Sequence, residues 1–130
     1  MSPVGGGANR KGNDMKVYIA GPMSGLPYFN FDAFDAADDR ISQKGHTPTN
    51  PALMCSACGF EYWRHPDGDP AAAARDGFDL KAAARRDLLA LTECDAIYLL
   101  PGWEQSVGAR AEKAVADWLG LAEFKLEERD

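Results

Sequence analysis

The chain has 130 residues, 45% of them hydrophobic, with 14 basic and 20 acidic side chains and a formal net charge of −6. That is one domain with enough apolar residues for a core, and its charge balance argues against the broad phosphate footprint of a nucleic-acid-polymer binder. A small phosphorylated ligand stays open, because backbone N–H groups hold a phosphate without net positive charge.

Met1 to Asp14 is polar and Gly-rich and lacks the apolar core of a signal peptide, so it reads as a disordered tail, with Met15 as a candidate start. The expected domain runs over 15–126, followed by a charged tail over 127–130. Lys16 to Ala20 is a β-branched and aromatic run that ends at Gly21-Pro22, and predicts a first strand. Asn30 is placed to cap a helix in which Phe31, Phe34, Ala37 and Ile41 recur at helical spacing and Gly45 closes the turn. His46 to Asn50 predicts a short second strand. Residues 51–78, with three prolines and a Cys pair, read as a long functional loop. Asp79 opens a second helix that runs to about Glu93, and Asp95 to Leu100 is a third strand, nearly continuous in apolar residues. Ser106 to Leu119 predicts a third helix, ended by Gly120, and Leu121 to Leu126 a last strand.

This alternation predicts an open, parallel, three-layer α/β sheet, in which ligands sit beyond the carboxyl ends of the strands. No apolar stretch approaches the roughly 20 residues of a membrane span. Three cysteines make no disulfide framework, which points to a reduced, cytoplasmic protein. Cys55 and Cys58 form a C-x-x-C with His65 nearby. A fourth ligand for zinc is not evident, so a plain loop is the main reading, beside a metal or a redox pair.

Two acids fall on apolar faces. In the second helix the expected inward stripe is Leu80, Ala83, Ala84, Leu88 and Leu91, and Asp87 projects from its middle. A carboxylate there needs water or a partner, so it is either a site acid or half of an ion pair with a nearby Arg. In the third helix Gly108, Ala111, Val115, Trp118 and Leu119 are expected inward, with Glu112 at the edge of that face. Paired carboxylates at one crevice suit glycosidic chemistry. Tyr18 is either a packed core tyrosine or a phenol that reaches a carboxylate over the strand end. The turn Gly21-Pro-Met23-Ser24-Gly25 offers a phosphate or hydroxyl cradle, although it is neither a P-loop nor a dinucleotide fingerprint. Ser106 adds a hydroxyl at a helix start, where the dipole favours an anion.

Three segments together, Val17-Tyr-Ile-Ala-Gly-Pro-Met-Ser-Gly25, Arg86-Asp-Leu-Leu-Ala-Leu-Thr-Glu-Cys-Asp95 and Ser106-Val-Gly-Ala-Arg-Ala-Glu112, resemble the nucleoside 2-deoxyribosyltransferase-like superfamily, especially its small phage and prophage members. The resemblance covers Lys16 to about Phe124 and is poor over 54–78. It implies a flavodoxin/Rossmann-like three-layer sandwich with a mostly parallel sheet of four or five strands. It also implies cleavage of an N-glycosidic bond without a cofactor or metal. By resemblance, Glu112 is the nucleophile, Asp87 orients the sugar or assists departure of the base, and Tyr18 positions Glu112. The implied substrate contacts are Gly21, Met23, Ser24, Gly25, Ser106 and Gly108. Trp103, Phe29 or Phe31 are candidates to stack on the base, or else belong to the core.

Ser106 lies six residues before Glu112, where nucleoside transferases of this superfamily carry an Asp and the related 5′-monophosphate N-glycosidases a Ser. The resemblance therefore leans to hydrolysis of a (deoxy)nucleoside 5′-monophosphate, although the inserted Glu104 adds a negative charge nearby. A base-exchanging transferase and a non-catalytic nucleotide-binding module are the alternatives. A homodimer or larger homo-oligomer is expected, since so short a chain makes an open cleft.

Overall fold

The computed structural model describes residues 14–126, so the tails expected over 1–14 and 127–130 lie almost wholly outside the described residues. The strands are β1 (Lys16–Ala20), β2 (Thr47–Thr49), β3 (Ala96–Leu99) and β4 (Ala122–Phe124). The α-helices are α1 (Phe31–Gln43), α2 (Pro51–Ala57), α3 (Pro70–Arg75), α4 (Leu80–Thr92) and α5 (Val107–Leu119). The four strands pair in parallel in the order β2-β1-β3-β4. This is the flavodoxin/Rossmann-like α/β arrangement expected from the sequence. The chain moves outward from β1 to β2, then returns across β1 to β3. In sheets that reverse in this way ligands bind beyond the carboxyl ends of the strands that flank the reversal, here β1 and β3.

β1 is buried along Val17 to Ala20, and its alternating side chains serve two cores. Val17 and Ile19 pack with Phe31, Phe34, Ala37 and Ile41 of α1. Tyr18 and Ala20 point to the other side, with Leu91, Ile97 and Ala116. The buried face of α1 is the one its spacing predicts.

Asn30 stands at the N-cap of α1 as expected, but its side chain makes no capping hydrogen bond. Tyr28, Phe29 and Asn30 all adopt left-handed φ, at 51°, 55° and 64°. In that conformation the Asn30 amide turns back and donates from Nδ2 to the Pro22 carbonyl at 3.0 Å. Three consecutive non-glycine residues in this region cost free energy that the surrounding packing must offset. Part of that packing is Phe29, buried edge-on against Phe60 at a centroid distance of 5.7 Å.

β2 is shorter than expected, because Asn50 leaves the strand to cap α2. Its Oδ1 accepts from Ala52 N at 3.0 Å and Leu53 N at 3.4 Å. Its Nδ2 donates to Asp35 and Asp38 of α1, each at 3.1 Å. Nor is 51–78 a loop. It folds as α2, a 3₁₀ turn at Tyr62–Arg64, and α3 capped by Asp69. Short helices opened by Asn50-Pro51 and Asp69-Pro70 are too brief to show a period, but Pro at the first helical position after a capping residue is their signature.

Both helices of the second core are rotated from their expected faces. On α4, Ala83 and Leu91 are buried, whereas Leu80 and Ala84 are exposed. On α5 the buried residues are Ala109 and Ala116. Gly108, Ala111, Trp118 and Leu119 face outward, with Trp118 87% exposed. The inward stripe therefore follows the small residues and not the large ones, and small residues let α4 and α5 sit close to the sheet and to each other. Among the described residues, no helix is long and apolar enough to cross a membrane.

Candidate active site

The rotation of α5 places Glu112 between Ala109 and Ala116 on the buried line, three residues after one and four before the other. It is thus central to the inward face and not at its edge. The Tyr18 hydroxyl, inside β1, donates to Glu112 Oε2 at 2.7 Å. Burial is the main reason that the Tyr18 phenol is held protonated, and the charges of Glu112 and Asp87 reinforce it. Burial also pushes Glu112 up to about 7. The Tyr18 hydrogen bond opposes that rise, and the Asp87 charge adds to it.

Asp87 comes from α4, and 17% of its side chain is exposed. Burial raises its pKa, and the hydrogen bond and charge of Arg86 pull it back. Arg86 donates to Asp87 Oδ1 from Nε at 3.0 Å and from Nη2 at 2.8 Å. The ion pair with a nearby Arg is present, and the Asp87 charge also acts on Glu112. Burial disfavours the Arg86 charge, but its bonds to Cys55 and Asp87 outweigh that and keep it protonated. That Arg86 is the partner of Asp87 escapes a sequence reading because adjacent helical residues point about 100° apart. Only the length of the Arg side chain lets it curl back.

Tyr18 and Glu112 are thus joined by a hydrogen bond, and Asp87 is close enough for its charge to act on both. Other candidates are placed differently. Ser106 caps α5, its Oγ accepting from Ala109 N at 3.1 Å, so its O–H proton remains to donate to an anion. Gly108, in the first turn of α5, is exposed. Gly21 is required by packing, since a Cβ there would stand 2.7 Å from the Leu100 side chain. Met23 packs on the α1 core, and Ser24 is exposed. Gly25 is not a free cradle donor, because its N–H goes to the Gly68 carbonyl at 2.7 Å. Phe29 is core, and Phe31 stacks on Tyr62 at 4.5 Å, so neither ring is open to a base. Trp103 lines a hollow with Tyr98, Leu126 and Lys125 that none of Tyr18, Asp87 or Glu112 borders.

A larger cleft, about 580 Å³, lies between the 55–65 and 76–79 segments and α4. Its lining includes Phe60, Phe78, Arg64 and Arg86. Arg86 is therefore the wall between this cleft and Asp87. His65, buried there, sits with Nε2 3.1 Å from Asp76 Oδ2. Among the described residues, no three His, Cys, Asp or Glu side chains gather as metal ligands.

A family model described as a domain of unknown function (DUF4406) matches residues 15–123. The chain belongs to this family. The matched residues of this DUF4406 domain span β1 into β4 and include Tyr18, Asp87 and Glu112. No curated protein and no solved structure matches the chain.

Because the Asp87 charge helps to raise Glu112, Asp87→Asn in this DUF4406 domain should lower the Glu112 pKa. Carbon-13 NMR titration of the Glu112 carboxyl checks this. An unmoved midpoint would show that the two acids do not share one crevice.

Proposed function

We propose that the chain is an N-glycosidase that releases the free base from a (deoxy)nucleoside 5′-monophosphate. The observation that carries this reading is the buried Tyr18–Glu112 hydrogen bond with Asp87 beside it, at the reversal point of the sheet. The resemblance to the nucleoside 2-deoxyribosyltransferase-like superfamily gives the same residues the same roles.

In this reading the Glu112 carboxylate attacks the anomeric carbon, and the bond to the base nitrogen breaks. The base leaves with the electron pair and takes up a proton from water, while the Arg86-paired Asp87 carboxylate orients the sugar. Tyr18 remains protonated and holds Oε2, which orients the other oxygen of Glu112 for attack. Water then attacks the anomeric carbon, splits the glycosyl ester and restores the carboxylate. The Ser106 hydroxyl and the α5 N-terminus favour a phosphate on the sugar. Incubation with a panel of nucleoside 5′-monophosphates and nucleosides, followed by chromatography for free base, tests the reading. Release only from unphosphorylated nucleosides would contradict the Ser106 assignment.

We further propose that the working unit is a homodimer. Val107, Ala111, Ala114 and Trp118 form one exposed line on α5, with Val107 75% and Trp118 87% exposed. An apolar helical stripe of this kind is costly in water and suits a self-complementary contact around a two-fold axis. Sedimentation should give twice the chain mass. A monomer at micromolar concentration, still active, would show that one chain suffices.

A further inference from the structure

We propose that Cys55 and Cys58 form a redox-active dithiol whose state is communicated to Asp87 through Arg86. One guanidinium touches all three groups. Arg86 Nη2 donates to Cys55 Sγ at 3.2 Å and to Asp87 Oδ1 at 2.8 Å, and Nη1 donates to Cys58 Sγ at 3.9 Å. Both cysteines are free thiols at the 580 Å³ cleft, and exposed Cys58 is the one a small reagent can reach. Cys55 is buried and Cys58 is exposed.

The backbone favours closure of a bridge. Residues three apart in a helix have Cβ atoms about 5–6 Å apart, and a disulfide needs roughly 4 Å. Cys58 is the residue that ends α2, with φ −86° and ψ 3°, so a small change at the helix end suffices. A resident cation against both sulfurs disfavours a metal cation in the same place.

The oxidant is a low-molecular-weight disulfide such as oxidised glutathione. The Cys58 thiolate attacks one of its sulfurs, breaks the S–S bond and expels one thiolate. Cys55, having given its proton to solvent, then attacks the Cys58 sulfur and expels the second. Two protein thiols are oxidised to one disulfide, and the reagent is reduced to two thiols. Closure draws Cys55 Sγ toward Cys58 and takes away one anchor of Arg86. Arg86 then holds Asp87 less firmly, and the Asp87 carboxyl becomes easier to protonate. Only the catalytic meaning of that change rests on the glycosidase reading.

Full-length protein is equilibrated with mixtures of reduced and oxidised glutathione, quenched in acid and alkylated. Peptide mass analysis should find an intrachain bridge between Cys55 and Cys58, with Cys94 alkylated throughout. Cys55→Ser should trap a glutathione adduct on Cys58, whereas Cys58→Ser should form none on buried Cys55. Arg86 stabilises the reduced sulfurs, so Arg86→Gln should favour the bridge about tenfold, ~30 mV. In wild type the Asp87 titration midpoint, read by carbon-13 NMR, should rise on oxidation. Sulfurs that stay reduced at every ratio, or that bridge through Cys94 or between chains, would overturn the dithiol. An unshifted Arg86→Gln equilibrium or Asp87 midpoint would overturn the link. None of these readouts needs turnover, so they stand apart from the outcome of the base-release assay.

Discussion

Glu112→Gln is expected to lower base release by on the order of 10³-fold or more, and at the same time to stabilise the fold at pH 8. The loss follows from the proposed role, since an amide cannot form the glycosyl ester. The gain follows from linkage. Glu112 titrates at about 7 in the fold against an ordinary 4.5. Between those values the folded state holds a proton that the unfolded chain has released, so stability falls as pH rises through the window. At about 1.4 kcal/mol for each pH unit, the ionised carboxylate costs ~3 kcal/mol above pH 7. Gln carries no such charge and still accepts the Tyr18 hydrogen bond. Thermal melts of the two proteins should coincide near pH 4 and separate by several degrees at pH 8. Base release by the parent should in turn rise with pH through about 7, as Glu112 ionises. A variant that is less stable than the parent at pH 8 would mean that the Glu112 carboxylate is well solvated.

The second large effect lies outside the crevice. Gly68→Ala should cost about 3 kcal/mol of stability or more, which is a sizeable fraction of what a small domain has. Gly68 is at φ +62°, and a Cβ there would stand 2.0 Å from the Leu26 carbonyl oxygen. Backbone, unlike a flexible side-chain tip, cannot step aside. The same contact zone carries the Gly25 N–H to Gly68 carbonyl bond at 2.7 Å and a Tyr28 N–H to Pro66 carbonyl bond at 3.4 Å. Displacing it would release the left-handed stretch 28–30 that leads into α1. Gly45→Ala is the control: φ is +87°, but no atom lies within 4 Å of the added Cβ. It should lose only the ~1–2 kcal/mol of the left-handed conformation. Denaturant melts that show equal losses at the two positions would remove the packing explanation.

The sheet and its order of helices were legible because β1 and β3 are uninterrupted apolar runs and α1 buries what its spacing predicts. The acids were legible for a weaker reason. Asp87 interrupts an apolar stripe, which is visible even though Leu80 and Ala84 of that stripe turn outward. Glu112 was found with its face misread, because Trp118 and Leu119 drew the inward direction toward bulk, whereas close packing on the sheet selects Ala109 and Ala116. The segment 51–78 was illegible as structure. Its helices are six or seven residues long and are specified by caps and prolines, and its burial depends on distant partners such as Leu26 and Arg86.

Placing Phe29 in the core and giving the Gly25 N–H to Gly68 narrows the ligand surface. What remains for the proposed site is the Tyr18, Asp87 and Glu112 group, with the Ser106 hydroxyl at the start of α5. The acidic balance of the chain is compatible with the proposed mononucleotide substrate.

The most direct measurement is chromatography of the products after the parent protein and Glu112→Gln are incubated, at high enzyme concentration, with each common ribo- and deoxyribonucleoside 5′-monophosphate, with and without an acceptor base. Free base and a sugar 5′-phosphate should appear with at least one substrate, and neither with Glu112→Gln. An exchanged nucleotide formed only when acceptor base is present would make the protein a transferase. Intact substrates throughout, with nucleotide-induced thermal stabilisation that survives Glu112→Gln, would contradict catalysis and leave a nucleotide-binding module.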